Sequence, residues 1–150
     1  MTEKIKYAII GAGCMGQEHI LNIGIIDDAE VVALCDTSEK SIQESLELLN
    51  DEVAIFHDYN DLIDANIADA FIIATPNFTH IDVLKDVMKS EVHLLIEKPL
   101  CTTVKDCQEF EKLAENYPGV IWTAMEYRYM PPVQRPVSYT HLRAHETQFH

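Results

Sequence analysis

The residue types that could do chemistry fall into three groups, and each closes a short apolar run. The first is Gly11-Ala12-Gly13-Cys14-Met15-Gly16, which fits GxGxxG. It follows the β-rich run Lys4 to Ile10 and opens a stretch with apolar residues at helical spacing. That context turns a weak pattern into a dinucleotide-binding fingerprint. Gly11 permits the tight turn, Gly13 lets the backbone approach a pyrophosphate, and Gly16 lets the helix pack on the strand. The backbone N–H groups and dipole of the helix start then favour phosphate. The second group is Asp36, 20 residues beyond Gly16 at the end of a second apolar run. An acid there accepts hydrogen bonds from an adenosine ribose and repels a 2′-phosphate. No Arg or Lys follows until Lys40, so the sequence favours NAD, with NADP as the alternative. Asp36 could instead cap the next helix, although Ser38 already offers a cap.

The third group is Glu97-Lys98-Pro99, after the run Val92 to Ile96. In an open parallel sheet, ligands bind outside the carboxyl ends of the strands. Charged residues placed there are seldom buried without a partner or a task. A Lys can donate hydrogen bonds to a substrate oxygen and supply positive charge. Thr75-Pro76-Asn77 follows another apolar run and belongs to the same edge; Pro76 stiffens the turn and Asn77 can cap the next helix. His80 lies in that helix's first turn, as a packing or capping residue or as a ligand contact.

The elements that must position these groups alternate. Strands are expected at Lys4–Ile10, Glu30–Cys35, Val53–Phe56, Asp69–Ala74, Val92–Ile96 and Val120–Ala124. Helices are expected over Cys14–Ile26 (Met15, Ile20, Ile23 and Ile26 inward), from Ser38 (Ile42, Leu46 and Leu49 inward), and from Asp58. Two more span Asn77–Ser90 (Ile81, Leu84 and Met88 inward) and Thr103–Asn116. The alternation reads as an α/β fold, a doubly wound parallel sheet.

Composition narrows the function classes. The chain has 150 residues and a formal net charge of −14, which argues against nucleic acid and anionic membrane surfaces as partners. No apolar run approaches a membrane span, and Met1-Thr2-Glu3-Lys4 leads into a strand without a signal-peptide pattern. A cytoplasmic protein is the expectation. Cys14, Cys35, Cys101 and Cys107 form no CxxC pair and sit at no metal-ligand spacing. Cys14 and Cys35 lie in or beside expected core elements. All four are read as free thiols serving as small apolar residues, and no metal site is expected.

From Val137 to Thr147 the chain loses core pattern and cap logic. This stretch resembles a translated transposase-type sequencing adapter, so His141, His145 and His150 are set aside as ligands. The expected organisation is a dinucleotide-binding domain over 1–130, the start of a crossover over 131–136, and a non-native tail over 137–150.

Taken together, Gly11 to Gly16, Asp36, Ala74-Thr75-Pro76-Asn77 with His80, and Glu97-Lys98-Pro99 resemble the Gfo/Idh/MocA family of sugar and inositol oxidoreductases. The resemblance covers residues 4 to about 135 and corresponds to the family's amino-terminal domain, with the second αβ domain missing. It implies an NAD(P)-dependent dehydrogenase that moves a hydride between nicotinamide and a secondary alcohol of a sugar, sugar derivative or cyclitol. It also implies a small polyol or sugar substrate and a homo-oligomeric full-length protein. Lys98 would touch the nicotinamide ribose and the reacting hydroxyl, Glu97 would help position the cofactor, and the Lys98–Pro99 bond could be cis. Thr75 to Asn77 would face the nicotinamide. Arg128 and Tyr129 match the family's basic–aromatic pair, either lining a substrate cleft or beginning the linker. No carboxylate within 1–136 recommends itself as the acid–base partner of Lys98. Two rival readings stand beside this one: a nucleotide-binding module without turnover, and transient use of bound NAD in glycoside cleavage or elimination.

Overall fold

A computed structural model describes residues 3–131 of the chain; the crossover beyond Pro131 and the tail at 137–150 lie outside the described residues. Six strands form one sheet in the order β3-β2-β1-β4-β5-β6, and every pairing is parallel. The strands are β1 (Ile5–Ile10), β2 (Ala29–Cys35), β3 (Ala54–Phe56), β4 (Ala70–Ile73), β5 (His93–Ile96) and β6 (Ile121–Thr123). Helices α1 (Cys14–Ile23), α2 (Glu39–Leu46), α3 (Tyr59–Ala65), α4 (His80–Val87) and α5 (Val104–Ala114) connect them. The strand order reverses between β1 and β4, which creates the crevice where open α/β sheets bind ligands.

The central strands read as unbroken apolar runs because helices cover both of their faces. Ile9, Ile72 and Leu34 pack with Ile20 and Ile23 of α1 on one face. Their neighbours Ile10, Ile73 and Cys35 pack with Leu62, Val83, Leu84 and Val87 of α3 and α4 on the other. Adjacent residues thus serve opposite cores, as the two-residue strand period requires. The doubly wound parallel sheet expected from the sequence is the observed fold.

Three helix starts are capped by the side chains their sequences offer. Ser38 Oγ accepts from Ser41 N at 3.3 Å, Asp58 Oδ1 from Asn60 N at 2.8 Å, and Thr103 Oγ1 from Asp106 N at 3.1 Å. Asn77 does not cap. It begins a 3₁₀ turn, Asn77–Thr79, that delays α4 to His80, and no side-chain cap bond forms at either start. The stripe expected on α1 also shortens: the helix stops at Ile23, so Ile26 lies outside it and is exposed, as is Met15. Among the described residues no helix is long and apolar enough to cross a membrane.

Candidate functional site

The loop after β1 is pinned from two sides. Gly11 has φ +98°, and a Cβ there would lie 2.5 Å from the backbone of Ala74 at the end of β4. At Gly16 a Cβ would lie 2.1 Å from the Gly11 carbonyl oxygen. Both positions therefore need glycine for the fold itself. Gly13 does not: its φ is −76°, and a Cβ built there meets nothing within 4 Å. The space it leaves open adjoins the start of α1, whose amino end no side chain caps. A backbone approach to open space at an uncapped helix start suits a pyrophosphate.

The loop's central residue is held at both polar atoms. Ala12 N donates to Asp36 Oδ2 at 2.8 Å, and the Ala12 carbonyl accepts from Ser45 Oγ at 2.9 Å. Asp36 Oδ1 also accepts from Ser38 N at 2.8 Å. Asp36 is thus a clamp between the glycine loop and the turn after β2, while Ser38 is the residue that caps α2. A carboxylate offers about four acceptor sites, so these two bonds leave capacity for ribose hydroxyls.

A cleft of about 580 Å³ opens along this edge, lined by Gly11, Gly13, Cys14, Met15, Asp36, Thr75 and Pro76 among others. His57 and Tyr59 wall it beyond Asp36, and His57 Nδ1 lies 3.1 Å from the Asp36 carbonyl oxygen. The cleft has the size and the mixed lining of a cofactor site. A second cleft, about 490 Å³, lies at the opposite edge of the sheet and includes Asp27, Glu30, Asp51 and Glu52. Those carboxylates would repel phosphate.

Thr75 and Pro76 line the cofactor-sized cleft, and Asn77 is exposed just beyond it. His80 stands behind, with no solvent exposure. Its Nε2 lies 2.9 Å from the Thr75 carbonyl oxygen and its Nδ1 lies 2.9 Å from that of Pro99. A neutral ring can donate to one of these oxygens and an imidazolium to both. His80 therefore ties the turn after β4 to the turn after β5 rather than facing the cleft.

Glu97 is 5% exposed, and its Oε1 lies 2.7 Å from His19 Nε2 on α1. Its Oε2 accepts from the Lys98 backbone N–H at 3.2 Å. The Lys98–Pro99 peptide bond is cis. With Glu97 occupied, the Lys98 ammonium reaches a different carboxylate: Nζ is 4.0 Å from Glu126 Oε1 and 5.8 Å from the centroid of the Tyr127 ring. The sequence recommends no carboxylate within 1–136 as the acid–base partner of Lys98; among the described residues, Glu126 is the one that the fold brings near its ammonium. It comes near because β6 runs parallel to β5, with Ala124 N donating to the Ile96 carbonyl at 2.8 Å. Arg128 and Tyr129 are exposed in the 3₁₀ turn Glu126–Tyr129 on the same side.

Sequence reasoning missed His19 and Ser45, and for Glu126 it missed the nearness to Lys98. The first two carried a signal. His19 stands four residues before buried Ile23, and Ser45 three after buried Ile42. A polar residue at such inward spacing requires a partner. Glu126 carried none, because only strand pairing brings it to Lys98.

The cysteines divide. Cys35 is buried, while Cys14 and Cys107 are exposed and Cys101 lies between, so the reading of all four as small apolar residues is corrected for Cys14 and Cys107. Burial, then the carboxylates of Asp36, Asp58 and Asp61, push the Cys35 thiol up to about 12. Among the described residues no group of three or more His, Cys, Asp or Glu is placed to hold a metal ion.

Comparison with known proteins agrees with this geometry. The sequence model of the Gfo/Idh/MocA oxidoreductase family, described as an NAD-binding Rossmann fold, matches residues 5–125. Inositol 2-dehydrogenase of Salmonella typhimurium is 32% identical over 105 residues, covering 69% of this chain and 31% of the relative. The rhizopine catabolism protein MocA of Rhizobium meliloti is 26% identical over 132 residues, covering 88% of this chain and 41% of the relative. Among solved structures, the WlbA dehydrogenase from Bordetella pertussis, in complex with NADH and UDP-GlcNAcA, superposes with a TM-score of 0.80 at 26% identity. That match covers 88% of this chain and 40% of that one. The chain spans about a third of the length of the inositol 2-dehydrogenases it matches.

Proposed function

The chain belongs to the Gfo/Idh/MocA family of oxidoreductases with an NAD-binding Rossmann fold, and we propose that residues 5–125 are the cofactor domain of a dehydrogenase acting on a sugar, sugar derivative or cyclitol. The observation that carries this reading is one sheet edge. The open space at Gly13 and the half-exposed ammonium of Lys98 lie beyond the carboxyl ends of β1 and β5, the two parallel strands that flank β4.

Bound NAD would supply the hydride acceptor for oxidation of a secondary alcohol. The chain's own residues bind and polarise. The Gly11–Gly16 loop and the start of α1 hold the pyrophosphate. Asp36 receives the adenosine ribose with its remaining acceptor sites and disfavours a 2′-phosphate. Thr75, Pro76 and Asn77 flank the nicotinamide side, with His80 fixing their backbone from behind. Lys98 donates to the substrate oxygen and stabilises negative charge as it develops there. Glu97, held by His19, fixes the backbone from which Lys98 departs. Arg128 and Tyr129 lie where a substrate's far side would pass. The matched stretch is 31% of a full-length relative, and the rest of such a chain would contribute further substrate contacts and a homo-oligomer contact.

The test is a titration with NADH and NADPH followed by nicotinamide fluorescence, paired with NAD⁺ reduction on a panel of polyols and sugars. Saturable NADH binding with weaker NADPH binding supports the reading. No binding of either nucleotide sinks it.

A further inference from the structure

We infer that Glu126 and Tyr127 complete a diol-recognition site around Lys98, with Lys98 as donor, Glu126 as acceptor and the Tyr127 ring as an apolar platform. This rests on the proposed polyol or sugar substrate and names the residues that would read it. Lys98 Nζ and Glu126 Oε1 are 4.0 Å apart, too far for a hydrogen bond between them, and each side chain is 41% exposed. The nearer carboxylate in sequence is no competitor, since both Glu97 oxygens are engaged, by His19 and by the Lys98 backbone.

Glu126 has a further peculiarity. Its Oε2 is buried and has no hydrogen-bond partner among the described residues. That leaves Oε1, the oxygen that faces Lys98, to take a ligand hydroxyl. A lysine offers donors only and a carboxylate acceptors only, whereas a hydroxyl is both. Two hydroxyls on adjacent carbons can receive from Lys98 and donate to Glu126 at once. The C–H face of a saturated ring would meet the negative face of the Tyr127 ring, which is 56% exposed. A simple surface ion pair would instead contribute little and select nothing.

Saturation-transfer NMR on the purified chain, with and without NADH, tests this with myo-inositol, cis-1,2-cyclohexanediol and cyclohexanol as probes. The diol and the inositol should receive saturation and compete with each other, and cyclohexanol should bind more weakly. Glu126→Gln should weaken inositol binding about tenfold or more. Glu126→Asp should recover part of the loss, with NADH affinity unchanged in both. No contact between myo-inositol and the wild-type chain overturns the inference, as does equal inositol affinity in Glu126→Gln or equal affinity for cyclohexanol. Failure of NADH to bind while Glu126-dependent inositol contact persists removes the cofactor reading and leaves this one standing.

Discussion

His19 Nε2 and Glu97 Oε1 meet at 2.7 Å across 78 residues of sequence, joining the helix that follows the glycine loop to the strand end that carries Lys98. Both side chains are largely buried. Breaking a buried pair leaves one polar group without a partner. His19→Ala should therefore destabilise the chain by about 2–4 kcal/mol. The double variant His19→Ala/Glu97→Gln should cost less than the sum of the two single changes. Urea unfolding of the four proteins measures this, and strict additivity would mean the contact carries no energy.

The glycines of the loop should separate by function. Gly11→Ala meets the Ala74 backbone at 2.5 Å with φ +98° and should cost about 2 kcal/mol or more. Gly13→Ala meets nothing in the protein, so its melting temperature should stay near that of the wild type. Its NADH affinity should fall by about tenfold, about 1.4 kcal/mol. Thermal unfolding and NADH titration on both variants check the contrast.

Asp36→Ser with Thr37→Arg should shift nucleotide preference toward NADPH, because it removes the acid proposed to receive the ribose and supplies a partner for the 2′-phosphate. A loss of stability of about 1–3 kcal/mol should accompany the change, since the loop bond from Ala12 N to Asp36 is also broken. An unchanged ratio of NADH to NADPH affinity would contradict the ribose assignment.

The thiols predict an alkaline limb. The folded Cys35 thiol is raised from 9.0 to about 12, chiefly by burial, and the Tyr117 phenol from 10.0 to about 12, again chiefly by burial. The folded state therefore keeps protons that the unfolded state releases. Stability from Cys35 is complete below pH 9.0, falls as pH rises toward about 12, and is lost beyond it. Urea midpoints measured across that range should decline, and less steeply in Cys35→Ala. In the folded chain iodoacetamide should modify Cys14 and Cys107 while sparing Cys35.

Much of this was legible in the residues. Ile9-Ile10 and Ile72-Ile73 read as covered strands because both faces are apolar, and Ser38, Asp58 and Thr103 announced their helices by a local bond. Asp36 was found from its distance to Gly16, but its bond to Ala12 was not, because a spacing rule says where an acid falls and not which N–H it meets. The same limit applies to His80, where sequence left packing and ligand contact open and two backbone carbonyls account for the ring. Asn77 misled because a 3₁₀ turn intervenes, closed by Thr79 N donating to the Pro76 carbonyl at 2.8 Å. The nearness of Glu126 to Lys98 was invisible, since only the parallel pairing of β5 and β6 sets the two side by side.

The most direct test of the central claim is NADH binding to the wild-type chain beside Gly13→Val, each checked by circular dichroism for an intact fold. A branched side chain in the open space at Gly13 should abolish saturable NADH binding while the spectrum stays unchanged. Equal NADH affinity in the two folded proteins would show that the loop after β1 is not where the dinucleotide binds.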